Sequence, residues 1–361
     1  LVGGFLPPPL LSTGVDNPVG LFGYVAILDA GLMAVAMRRR WHFLVAFGAV
    51  GTLLTHMGWT HEFFSISKVW VAFTILAVFN LLFLGSFAWA EKSKQGSPWI
   101  TASAAALPFA TFAYALMVLQ HHDLGVRPGV VFSFLALADL PLLAMALLNQ
   151  RLAPAQIASG AAAFLVLMAW TIGYLTKDLL NWALGGYLVF AVVHSAFPVV
   201  LQRVRPTARQ VWWGHFFPPA ALLLVLWPLF RSVDVGWLFW PTLLLIDAAA
   251  LLLALMTGAV LGVVAVMGLT ALVAGVWILQ TPAELAGLPP MLAVVGGFAL
   301  FFFLTGLAAG EKILARLEAA STGGGGGDLP ETPLFLGGLV GGSAGRGQLP
   351  GMATMLAFLR L

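Results

Sequence analysis

The chain has 361 residues, 61% of them hydrophobic and 9% charged, against about a quarter charged in soluble domains; this excludes a soluble globule and makes it a multi-pass membrane protein. Its formal charge of +3 comes from lysines and arginines scattered between apolar runs, so nucleic acid is not an expected partner. With no cysteine there is no disulfide framework, no thiolate metal site and no cysteine nucleophile.

The opening LVGGFLPPPLLSTG begins at Leu1 and has no basic stretch ahead of a cleavage site, so it does not read as a signal peptide. Residues 1–17 are expected to be an outer-side segment, the end of a preceding helix in a longer protein. Eleven apolar runs then follow, at 18–37, 41–58, 69–90, 98–119, 129–149, 156–176, 182–201, 212–230, 236–256, 258–279 and 288–309. Each is about 20 residues, enough to cross the hydrocarbon core as helix. The expected fold is all-α and polytopic, with a transmembrane domain over 18–309. After Ser321 comes TGGGGGDLPETP, and residues 310–361 read as a flexible, glycine-rich cytoplasmic tail. Its last apolar piece, MATMLAFLRL, is too short to span and lies at most on the interface.

Lys and Arg test this count, because cytoplasmic loops carry them in excess. After odd-numbered helices stand Arg38, Arg39 and Arg40; Lys92 and Lys94; Arg151; Arg203, Arg205 and Arg209; Lys312 and Arg316. After even-numbered helices stand only Lys68, Arg127, Lys177 and Arg231. The chain should therefore start outside and end in the cytoplasm, and no reversal of the bias betrays a miscounted helix.

The odd helices also repeat a mark, an aromatic seven residues before a polar side chain: Phe22 and Asp29, Phe73 and Asn80, Phe132 and Asp139, Tyr187 and His194, Trp240 and Asp247, Phe298 and Thr305. The polar positions are 51, 59, 55, 53 and 58 residues apart, which predicts a tandem helical hairpin. At the outer ends of the even helices an acid recurs, Glu62, Asp123, Asp178, Asp234 and Glu284, and Asp16 fits as the same mark from an earlier unit. Two spans per unit give every unit the same orientation, so the repeat is parallel. Each polar residue lies about 16 Å from the outer helix end at 1.5 Å per residue, near the bilayer midplane.

Asp29, Asn80, Asp139, His194 and Asp247 are the main candidate site. Ionisable groups inside a membrane mark ion, proton or solute paths, and they also serve as interhelical hydrogen-bonding groups. A second cluster, at the outer face, is His61 and Glu62 with His121, His122 and Asp123, residue types suited to metal binding or acid–base work. Its spacing matches no metal signature. The tryptophans Trp59, Trp70, Trp99, Trp170, Trp182, Trp212, Trp213, Trp237 and Trp240 fall at span ends and are expected to anchor in headgroups. Pro108, Pro141, Pro218, Pro219 and Pro241 are candidate kinks. There is no Walker A sequence, nucleophile elbow, dinucleotide fingerprint or haem attachment motif, so no cofactor is expected.

Gly3, Gly4, Leu11, Ser12, Thr13, Gly14, Asn17, Pro18, Leu21, Phe22, Gly23 and Tyr24 match a GGFATPLLLSTG segment followed by NPVALFGYL and a basic turn. In this the chain resembles a family of large bacterial predicted membrane proteins of unknown function, departing from it where LPPP replaces Ala-Thr-Pro. The resemblance implies a bacterial inner-membrane location and a longer parent protein with an N-terminal soluble or coiled-coil portion. It supplies no substrate and no catalytic residue. The leading expectation is transport or substrate binding through the midplane polar layer, with the lipid bilayer and other envelope membrane proteins as partners. The rivals are a non-catalytic scaffold in an envelope assembly and an enzyme acting on a lipid-linked substrate at the outer face.

Overall fold

Asn17 starts the first helix. Its side chain accepts a hydrogen bond from the Gly20 N–H at 3.0 Å and Pro18 occupies the first helical position, where a missing N–H costs nothing. In the computed structural model, which describes residues 16–205, 213–231, 235–257, 260–281 and 287–322, this helix, α1, runs Pro18–Arg39 and stops at Arg40 in the left-handed region (φ 59°). The helices that follow are α2 (Phe43–Phe63), α3 (Val69–Lys92), α4 (Pro98–Val118), α5 (Pro128–Leu148), α6 (Ala155–Tyr174), α7 (Leu180–Val204), α8 (Phe217–Phe230), α9 (Phe239–Thr257), α10 (Val260–Gln280) and α11 (Leu288–Thr322). All eleven are long and apolar enough to cross a membrane, α8 when taken with the 3₁₀ turn Trp213–Phe216 before it. This is an all-α integral membrane protein.

Three local features differ from the sequence reading. The α-helix α8 begins at Phe217 because Pro218 and Pro219 fit only the first turn. The linker after α4 holds a one-turn helix, His122–Gly125, too short to show periodicity. At the other end, α11 continues to Thr322. Residues 1–15, Trp212, Arg209, Asp234, Glu284 and residues 323–361, on which several expectations fall, lie outside the described residues.

The chain divides into two compact units, one ending at Ala249 and one starting at Ala250. In the first, α1, α3, α5 and α7 pack in one row and α2, α4, α6 and α8 in another, each helix also touching its hairpin partner. That is the stacking a parallel hairpin repeat requires. The aromatic mark fills the space between the rows: Phe22 meets Trp59 edge-on at 5.8 Å and Phe132 meets Trp170 at 5.2 Å. Tyr187 exchanges a 2.5 Å hydrogen bond with Thr171 in the equivalent place. In the second unit, α10 and α11 pack on each other.

Two tryptophans are not headgroup anchors. Trp59 and Trp170 are 3% and 0% exposed, and each buries its indole N–H against an acceptor, Asp16 Oδ1 and the Gly125 carbonyl respectively, both at 2.8 Å. A wide ring between two rows of helices is used here for packing, whereas Trp70, Trp99, Trp182 and Trp237 stay exposed at helix ends.

The start of α1, the end of α2 and the start of α3 are tied at Asp16, which accepts from Trp59 and pairs with Lys68 Nζ at 2.6 Å. Partial burial pushes the Asp16 carboxyl up, but the bonds from Lys68 and Trp59 and the Lys68 charge outweigh it and hold it below the usual carboxylate range. A depressed folded-state pKa stabilises above the unfolded value and is lost as pH falls through the folded one. Asp16→Asn should therefore flatten the acid limb of a stability–pH curve below about pH 4 and leave its shape at neutral pH unchanged; melting curves across that range in detergent check this.

Candidate functional site

The polar residues expected at the midplane are near the middle of their helices, and those in the first unit are all buried: Asp29, Asn80, Asp139, His194 and Asp247 are at most 1% exposed. The first three share one arrangement, in which the polar group of an odd helix meets a hydroxyl of the even helix that follows. Thr52 Oγ1 donates to Asp29 Oδ2 at 2.5 Å. Asn80 Nδ2 donates to Thr111 Oγ1 at 2.9 Å and to the Leu76 carbonyl at 2.9 Å. Ser159 Oγ donates to Asp139 Oδ1. The fit around Asp29 is close enough to require glycine opposite it, since a Cβ on Gly48 would come within 2.6 Å of Oδ1. Thr305, in the second unit, turns its hydroxyl back onto the Phe301 and Phe302 carbonyls of its own helix.

His194 departs from this pattern and joins two repeat units. Trp213 Nε1 donates to Gln156 Oε1. An indole nitrogen only donates, so this bond fixes the Gln156 amide with its nitrogen toward His194, where it donates to the backbone carbonyl at 3.0 Å and faces Nδ1 at 3.2 Å. Nδ1 is thereby an acceptor, and the hydrogen of the neutral ring sits on Nε2. Nε2 is 3.2 Å from Asp139 Oδ2, at ion-pair distance but outside hydrogen-bond alignment. The imidazole is backed by Phe217, stacked at 4.6 Å and 30°. Asp139, Ser159, Gln156, His194 and Trp213 thus form one buried network across α5, α6, α7 and the turn before α8. Here repeated polar positions from successive units, Asp139 and His194, meet. Asp29 and Asn80 bond within their own hairpins instead, each leaving its buried Oδ1 without a hydrogen-bond partner.

The outer-face cluster is looser. His61 and Glu62 pair with each other at 3.3 Å while 84% and 69% exposed. The two linkers approach through rings, Phe64 against His121 at 5.5 Å, and His122 lies against Tyr174 at 5.8 Å. No group of three or more His, Asp or Glu side chains suited to a metal ion occurs among the described residues.

Sequence reasoning singled out the odd-helix polar residues and missed their partners on the even helices. Thr52, Thr111, Ser159 and Gln156 carry no common spacing, but each is a polar side chain inside an apolar run, and Thr111 and Ser159 follow or precede strings of small residues that let helices approach.

A family model described as "Predicted membrane protein (DUF2339)" matches residues 1–340. No curated protein matches the chain, and no solved structure does.

Proposed function

We propose, for a chain that belongs to the DUF2339 family of predicted membrane proteins, a non-catalytic scaffold of an envelope assembly in the bacterial inner membrane, oriented with the basic ends of its odd helices in the cytoplasm. What carries this reading is the local pairing of the polar layer: Asp29 with Thr52, Asn80 with Thr111 and Asp139 with Ser159, each inside one hairpin. A solute path needs polar groups turned toward a shared aqueous space. Here they are turned toward the next helix, where they set the register of one helix against another.

Transport remains the second reading because of one observation. Asp139 and His194 bring a carboxyl and an imidazole from successive units to 3.2 Å, and ionisable groups inside a membrane mark ion, proton or solute paths.

The cysteine-free background makes the test direct. Asp29→Cys, Asp139→Cys, His194→Cys and Asp247→Cys are placed singly in the native membrane and exposed to a small water-soluble thiol reagent. For a scaffold none of the four reacts, while Glu62→Cys and Asp123→Cys react from outside. Labelling at 139 and 194 moves the conclusion to transport.

A further inference from the structure

The basic ends of α3, α5 and α7 surround a cavity of about 530 Å³ lined by Glu91, Asn149, Gln150, Arg151 and Arg205. Two of its charged groups, Arg205 and Glu91, are held by bonds that use only part of their capacity. Arg205 Nε donates to the Leu147 carbonyl at 2.9 Å and Nη2 to the Leu148 carbonyl. The guanidinium thus caps the last turn of α5 and offsets the negative end of that helix. A guanidinium has five N–H donors, and the rest of this one remains for another partner. Arg151 stands on the 3₁₀ turn Gln150–Leu152, where its N–H donates to Asn149 Oδ1 at 3.0 Å. Asn149 Nδ2 in turn donates to Glu91 Oε1 at 3.0 Å and holds the carboxylate at the cavity wall.

We propose that this cavity binds a phosphate-bearing headgroup, with Arg151 and Arg205 on the phosphate and the outer oxygen of Glu91 on an ammonium where the headgroup carries one. Two guanidiniums against one carboxylate leave a net positive wall, and the planar guanidinium fork matches two phosphate oxygens at once. The position adds a second argument: the cavity lies where three apolar spans end, the level of the polar headgroups, and basic pockets between transmembrane helices at that depth hold lipid headgroups. A phosphoethanolamine lipid satisfies all three charged side chains, an anionic phosphoglycerol lipid only the arginines. The site is separate from the midplane network, and its test does not depend on the scaffold reading.

Native mass spectrometry of the full chain in detergent tests it with phosphatidylethanolamine, phosphatidylglycerol and inorganic phosphate as probes. Arg151→Gln should weaken retention of both lipids about tenfold or more, the loss of a hydrogen-bonded charged contact. Arg151→Lys, which keeps the charge and loses the fork, should fall between. Glu91→Gln should weaken the ethanolamine lipid and spare the glycerol one. Arg205 is left alone because it caps α5. If equimolar inorganic phosphate displaces the lipids, the phosphate site holds and its occupant is a soluble phosphate; if it does not, the occupant is lipid. Equal retention of all three probes by the wild-type chain and a folded Arg151→Gln variant overturns the proposal.

Discussion

Replacing Asp139 by alanine is expected to lower the free energy of unfolding by about 2 kcal/mol, the cost of leaving buried polar groups without their partner. The substitution strips the acceptor from Ser159 Oγ and leaves His194 Nε2 facing a void in a fully buried position. An ordinary interhelical hydrogen bond in a membrane averages only about 0.6 kcal/mol, so the size of the loss distinguishes a coupled network from one more hairpin clamp. A double-mutant cycle with Asp139→Ala and His194→Leu isolates the pair. Unfolding titrations in mixed micelles should give a coupling of about 1 kcal/mol or more. A loss for Asp139→Ala no larger than that for Thr52→Val would mean that His194 does not depend on Asp139.

Gly160→Ala is the second large effect, and here the cause is space. On α6 a Cβ at this position would lie 2.2 Å from Phe217 Cε1 and 3.0 Å from His194 Nδ1. The Phe217 and His194 rings are stacked on each other and Phe217 also lies 5.8 Å from Phe164, so Phe217 cannot swing aside without opening the contact between α6, α7 and α8. Forcing extra carbon into such a site costs about 1 to 3 kcal/mol. The same helix supplies a control: nothing lies within 4 Å of a Cβ built on Gly173. Gly173→Ala should therefore be neutral or stabilising by about 0.5 to 1 kcal/mol through helix propensity alone. Phe217→Leu in the Gly160→Ala background should recover much of the loss. Thermal melts of the three variants and the wild-type chain decide it, and equal melting of the two alanine variants would show that the Phe217 ring yields freely.

Much of this architecture was legible because a bilayer permits few spanning structures. A backbone in hydrocarbon must satisfy itself, so an apolar run of the right length becomes a helix whatever its neighbours do, and all eleven runs did. The repeat was legible for a similar reason: a polar residue such as Asp29 or Asp139 stands out against leucine and alanine. The partners were not, because a hydroxyl such as Thr52 or Ser159 is cheap to bury anywhere on a helix, bonding back to its own backbone as Thr305 does. Nor did sequence distinguish Trp59 and Trp170 from the exposed tryptophans, since all of them fall near span ends. Their burial follows from facing the other row of helices, a property of packing rather than of position along the chain. The basic-end cavity draws its residues from the ends of three helices, with no local pattern to announce it.

The order in which the hairpin clamps close bears on how such a chain enters a membrane at all. Thr52 follows Asp29 by 23 residues, Thr111 follows Asn80 by 31 and Ser159 follows Asp139 by 20, so each costly group waits one helix for its partner. His194 looks backward, to Gln156 and Asp139 on helices synthesised before it. Asp29, Asn80, Asp139 and His194 therefore find their first partners without waiting for a distant part of the chain, and two spans, rather than one, form the natural quantum of insertion.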